Sequence, residues 1–229
     1  DAFPVDLSST ISNFYARAGA VILNNGQTGA VTFLGTVSPA GGNLKEPVTE
    51  STKKAARCFY ALNQNRADKK RYPAVDPIDS YSKYLDYPEI VQYMSEHIAP
   101  DWVEKVLKAK NIVLRGKEAY EQINILGDDG VPISYHEIYW KSELIDFVIL
   151  QQDAFDKIDA SCPIERQKYM LALVLEACDA KHEFDTFEEC STYYKGLINI
   201  FKQMNYSEFK SAEFDKYLSQ IKNTISYDK

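Results

Sequence analysis

Apolar positions along the chain recur with two different periods. Near the start, Leu7, Ile11, Phe14, Tyr15 and Ala18 fall at helical spacing behind Pro4 and Asp6 and ahead of Gly19, which predicts one short helix. Residues 20–23 and 30–37 are rich in β-branched side chains and flank NNGQTG, a sequence able to turn with positive φ at glycine, so two strands are expected. The second is apolar on both faces, as in the interior of a covered sheet. After the irregular SPAGGNLKEP, Thr49 is expected to cap a helix with Ala55, Ala56, Phe59 and Leu62 on its inner face. The prolines of RADKKRYPAVDPIDSYS then stop any helix. Beyond residue 80 the helical period takes over, with expected spans 87–98, 101–110, 115–126, 135–155, 163–181, 186–204 and 207–226. In CPIERQKYMLALVLEAC, for instance, Pro163 and Glu165 suit a helix start, and Met170, Leu171, Val174, Leu175 and Cys178 form a stripe that must pack on other helices. The fold class expected is mainly α, α+β overall, with a mixed region over 1–80 and a helical bundle over 81–229.

Charge sharpens that division. The 229 residues carry 26 Lys and Arg against 33 Asp and Glu, a net charge of −7. Residues 1–80 hold 9 basic and 7 acidic side chains, whereas 81–229 hold 17 and 26. This balance argues against a general affinity for nucleic acid or for an anionic membrane. Cys58, Cys162, Cys178 and Cys190 form no CxxC pair, which suits reduced thiols in a cytosolic protein. No run approaches the ~18 apolar residues of a membrane span, and the expectation is a soluble intracellular chain.

The catalytic motifs are absent. Gly116-Lys117 is followed by Glu118, so there is no GxxxxGK[ST] loop to cradle phosphates. HEIYW begins like a zinc-protease motif, but position 140 is Trp where a second His is needed. Cys178, His182 and Cys190 read as core and surface residues rather than metal ligands, and no metal site is expected. Asp153, Asp156 and Asp159 read as caps of backbone N–H groups near a helix junction rather than as a cation site. The basic triplet at 69–71 lacks interleaved aromatics and reads as a solvated face. Tyr72, in a proline-stiffened loop, and Phe155, at a helix end, carry two readings: core packing, or flat faces on which an adenine stacks.

Four stretches resemble the catalytic A subunit of V-type (A/V-type) rotary ATPases, bacterial branch: FPVDLSSTISNFYARAGAV from Phe3, TGAVTFLGTVSPAGGNLKEPVTESTKKAARCFYAL from Thr28, RYPAVDPIDSYSKY from Arg71, and FVILQQDAFDKIDASCPIERQKYMLALVL from Phe147. They occur in family order over essentially the whole chain. The resemblance implies the end of a RecA-like nucleotide-binding domain over 1–80 and a C-terminal helical domain over 81–229. Asp1 is then a start set by truncation or cleavage, and the P-loop and catalytic glutamate lie upstream. Carried over by position, Tyr72 and Phe155 are the aromatics on either side of the adenine, and Ala154 lines the pocket between them. No catalytic residue falls in this chain, which alone is expected to be inert.

The implied cofactors are ATP or ADP with Mg2+ in the intact subunit. The implied partners are B subunits in an alternating hexamer and the central rotor stalk, with the membrane reached only through the complex, on the cytoplasmic side. One alternative is a free-standing helical protein-interaction module, which would not expose apolar surface along residues 20–37. Another is an F-type β subunit or export ATPase, favoured by YPAVDPIDS and disfavoured by GGNLKEPVT and LQQDAFD.

Overall fold

A computed structural model describes residues 3–226; Asp1, on which the expected truncation point falls, lies outside them. Contacts divide the chain into two compact units, one formed by residues up to 59 with 81–84, the other by 60–80 with 85 onward.

In the first unit, α1 (Leu7–Tyr15) is followed by the antiparallel hairpin β1 (Gly19–Ile22) and β2 (Thr28–Val31), in register from Gly19 opposite Val31 to Ile22 opposite Thr28. Gly26 supplies the positive φ of +80° that the connecting turn needs. The second strand ends at Val31 rather than 37. Within the described chain nothing pairs with residues 32–37, and unpaired backbone does not hold a strand. Both faces of the hairpin are open: Ile22 is 79% exposed and, just beyond, Leu34 is 90% exposed. That differs from the covered sheet which the apolar pattern predicts.

Helix α2 (Pro47–Ala55) starts two residues before Thr49. Its cap is Glu46, whose Oε1 accepts the Thr49 N–H at 2.7 Å. The helix stops at Ala55, because Cys58–Phe59 (β3) turns away to pair antiparallel with Tyr81–Ser82 (β4). Ala56, Phe59 and Leu62 are therefore not a helix face, and Leu62 is 78% exposed.

The second unit begins with the short α3 (Gln64–Asp68), capped by Asn63. It continues with α4 (Pro88–His97), α5 (Trp102–Leu126), α6 (Ile133–Ile145), α7 (Ile164–Asp179), α8 (Phe187–Asn205) and α9 (Ala212–Ile225). Its core gathers Leu144, Ile145, Val174, Leu197, Phe201, Met204, Phe214 and Ile221, all essentially without solvent contact.

Two expected helices, 101–110 and 115–126, are one helix of 25 residues. Ala109, Ile112, Val113, Gly116, Ala119 and Ile123 continue a single buried stripe, so burial holds the middle together. Gly116 lies where α5 meets α6: a Cβ built there would come within 2.1 Å of the Ser142 Cβ, so only glycine allows this approach.

The expected 135–155 helix is shorter. It passes through a wider π turn over Asp146–Leu150 and then stops. The stop has a visible cause: Asp153 Oδ1 accepts the Phe155 N–H, Asp156 Oδ1 accepts those of Ile158 and Asp159, and Asp159 Oδ2 accepts that of Asp153. The three aspartates thus cap backbone groups as their spacing suggests, but they hold a loop instead of a helix end. The last helix begins at Ala212 because Ser211 caps it, with the Phe214 N–H at 3.1 Å from Ser211 Oγ.

Truncating Phe201 or Leu197, both fully buried at the centre of the bundle, should cost about 3–5 kcal/mol. Leu62→Ala, at an exposed position, should stay within about 0.5 kcal/mol. Urea unfolding followed by far-ultraviolet circular dichroism separates the two cases.

Candidate functional site

The site is built on the loop 60–80, a tightly tied segment. Asn63 N–H donates to the Ala74 carbonyl at 2.9 Å and Asp76 N–H to that of Ala61 at 2.8 Å. Asp76 Oδ2 accepts from Asn63 Nδ2 at 2.7 Å, while Oδ1 accepts the N–H groups of Ile78 and Asp79 at 2.8 and 3.0 Å. Burial acts to raise the Asp76 pKa, but these donors outweigh it and hold the carboxyl below its ordinary range.

Two arginines fasten the loop to α6 and its π turn. Arg66 Nη2 donates to Asp146 Oδ1 at 2.7 Å. Arg71 forks onto Glu143, with Nη1 2.9 Å from Oε1 and Nη2 2.6 Å from Oε2, and its Nη1 also reaches Asp146 Oδ2. Asp146 is 7% exposed at its side chain and Glu143 13%, so these are paired charges largely out of water. Burial opposes the Arg71 charge, but the two carboxylates prevail and keep its pKa above the ordinary value. The Arg71 guanidinium also lies 4.7 Å from the centre of the Phe147 ring.

With Arg71 fixed, the next residue is fixed as well. The Tyr72 carbonyl accepts the Gln152 N–H at 3.0 Å, joining the loop to the aspartate-capped segment that follows the π turn. Between them opens a cavity of about 500 Å³, lined among others by Tyr72, Phe147, Ala154, Phe155, Asn205 and Tyr206. All three residues singled out in the sequence, Tyr72, Ala154 and Phe155, therefore border one cavity.

Their rings are not core: Tyr72 is 55% exposed and Phe155 99%. The cavity also holds Lys70 and Lys202 against Asp153 and Asp159. Burial raises the Asp159 pKa even though the carboxylate accepts the Asp153 N–H. Asn205 supports the wall, donating from Nδ2 to the Val148 carbonyl at 3.0 Å.

Sequence reasoning missed Arg66, Glu143, Asp146 and Asn205, because their partners lie 57 to 80 positions away. The one available signal was the place of Arg71 directly before Tyr72. Among the described residues no group of three or more His, Cys, Asp or Glu gathers where it could hold a metal ion.

Comparison with known proteins gives the family. Residues 1–82 match the model of the ATP synthase alpha/beta family nucleotide-binding domain, and residues 91–194 match that of the C-terminal domain of V and A type ATP synthase. The V-type ATP synthase alpha chain of Protochlamydia amoebophila is 39% identical over 98% of the chain. That of Chlamydia abortus is 41% identical over 96%, and that of Borrelia duttonii 38% over 98%. The chain belongs to the V-type ATP synthase alpha-chain family.

The match to the V and A type C-terminal domain favours the V-type reading over the F-type alternative. The chain spans about 37% of the length of these relatives. A solved structure of an ATP synthase subunit, NeqB from Nanoarcheaum equitans, shares the fold at a TM-score of 0.56, with 19% identity, over 78% of this chain and 41% of that one.

Arg71→Ala should destabilise this member of the family by about 3–5 kcal/mol, since Glu143 and Asp146 would be left buried with one cation between them. Arg71→Lys should recover part of that, keeping the charge and losing the fork. Denaturant melts measure both. Asp76, with its lowered pKa, contributes stability that is present above the ordinary carboxylate range and lost as pH falls through the lowered value. Asp76→Asn should accordingly flatten the acid limb of stability against pH below about pH 4, measured by urea midpoints across a pH series.

Proposed function

We propose that this chain is the C-terminal part of the catalytic subunit of a rotary V-type ATPase or ATP synthase, with residues 1–80 closing the nucleotide-binding domain and 81–229 forming the helical domain. In this reading Tyr72 and Phe155 hold the adenine of ATP or ADP between their rings, with Ala154 on the wall between them. The carrying observation is that three residues from two distant segments border one cavity and that both aromatic side chains are exposed. A buried ring is already spent on packing, whereas an exposed one retains a face for stacking.

The exposed apolar sheet supports the same reading. Val21, Ile22, Val31 and Leu34 are each more than half exposed, a surface that a free-standing module would cover.

What these residues do follows from their chemistry. Aromatic stacking contributes about 0.5–1.5 kcal/mol per ring, enough to place the base but not to hold a triphosphate. The phosphates, Mg2+ and hydrolytic water are therefore left to the upstream part of the subunit and to an arginine from a neighbouring one. Phe155 sits on the helical unit's own capped loop, so a change at the base is passed directly to the bundle. We infer that the bundle acts as the lever between the nucleotide and the rotor stalk, in a hexamer alternating with B subunits, peripheral to the membrane on its cytoplasmic side. With no P-loop in the sequence, the chain alone should show no ATPase activity.

Tyr72→Ala combined with Phe155→Ala, placed in the full-length subunit within its complex, should raise the ATP concentration for half-maximal turnover by roughly 5- to 150-fold, the summed worth of two stacking contacts. An unchanged ATP dependence in steady-state assays would remove the adenine assignment.

A further inference from the structure

The loop 60–80 has a second cavity on its other flank, about 160 Å³, which shares no lining residue with the aromatic one. Its walls come from Arg66, Lys69 and Arg71 of the loop, Gly116, Lys117 and Tyr120 of α5, and Tyr139, Ser142 and Glu143 of α6, with Asp146 beyond. Four of these groups are cations and two are carboxylates. The carboxylates are engaged: Glu143 is held by the Arg71 fork, and Asp146 is shared by Arg66 and Arg71.

The remaining cations are not matched. Among the described residues neither Lys69 nor Lys117 has an acidic group within ion-pair distance, and the Lys69 Nζ lies 5.5 Å from the centre of the Tyr120 ring. Asp76 feels the Lys117 charge from a distance beyond an ion pair, while its oxygens accept from Asn63, Ile78 and Asp79 and it is not part of the lining.

What else faces the space is also donor-rich. Among the described residues the hydroxyls of Tyr120, Tyr139 and Ser142 have no protein partner, and Arg66 Nε is buried without an acceptor. Burial, with the Glu143 carboxylate beside it, keeps the Tyr139 phenol protonated and so able to donate. The floor is opened by Gly116, where any side chain would strike Ser142. The lining thus has a surplus of positive charge and of donors, with its carboxylate acceptors engaged. The ligand class that complements it is an anion made of acceptors alone.

We infer that this cavity binds a small tetrahedral oxyanion of the phosphate or sulfate class, with Lys69 and Lys117 supplying charge at the mouth and the Ser142 and Tyr139 hydroxyls donating from the wall. Its volume suits such an ion and excludes a nucleoside, whose sites are usually of several hundred Å³. The site is independent of the adenine reading, since none of its residues borders that cavity.

Titration of the 229-residue chain with inorganic phosphate by calorimetry, at constant ionic strength balanced with chloride, tests the inference. Saturable binding with competition by sulfate is expected. The double variant Lys69→Gln/Lys117→Gln should weaken it by about tenfold or more, because both charge-assisted contacts are lost at exposed positions that do not hold the fold. Lys69→Arg/Lys117→Arg should restore it to within about threefold. A parallel titration with phenyl phosphate distinguishes the sources: competition with inorganic phosphate assigns the site to the phosphate group of an organic ligand as well, and its absence assigns it to the free ion. Absence of saturable phosphate binding, or equal binding in the glutamine variant, overturns the site. Neither result bears on the Tyr72 and Phe155 assignment.

Discussion

A charged cluster with almost no water around it holds the second unit's loop in place. Arg66 and Arg71 come from a segment with one short helix and several turns, which has little apolar area of its own to bury. Glu143 and Asp146 come from the end of a helix that is otherwise core. Bringing the four together costs desolvation of each. The cost is recovered because the fork geometry satisfies all the carboxylate oxygens at once. A hydrophobic contact of the same size would allow the loop to slide, whereas a bidentate arginine fixes its position and its orientation. Everything that makes the two cavities follows from that: one lies on the Tyr72 side of Arg71, and the other is lined by Arg71 itself.

Much of this was legible in the sequence, and the failures share one cause. Helices with an uninterrupted apolar stripe, such as the one carrying Met170, Val174 and Cys178, were found within a residue or two, because burial of one face decides both register and length. Tyr72, Ala154 and Phe155 stand out through their motifs and not through periodicity, and all three border one cavity. Misreadings occurred where a distant partner overrules the local pattern. The pattern splits α5 in two, but its buried stripe continues through Gly116, whose place depends on Ser142 opposite. The local pattern puts Leu62 on a helix face, yet Cys58–Phe59 pairs with a strand more than 20 positions later. The strand beyond Val31 lacks a neighbour in the described chain. Arg66, Glu143 and Asp146 were invisible for the same reason: a charge carries no record of its partner in the residues beside it.

Exposure, more than identity, separates the two aromatics of this cavity from those that pack in the bundle. The chain has many aromatic side chains, and most of those in the bundle touch one another. Tyr193 and Tyr194 meet edge to face, and Phe209 packs on both Tyr169 and Phe214. Tyr72 and Phe155 have ring faces left over, on segments stiffened by backbone capping instead of by core contacts. Rigidity obtained from hydrogen bonds leaves the ring free for another molecule, which rigidity obtained from packing does not.

The join between Tyr72 and Gln152 runs from main chain to main chain. It is blind to the side chains at both positions. The width of the aromatic cavity is therefore a property of the fold, and substitution at either residue alters what the walls offer without altering how far apart they stand. Such a frame lets one side chain replace another on either wall while the distance between the walls stays as the backbone sets it.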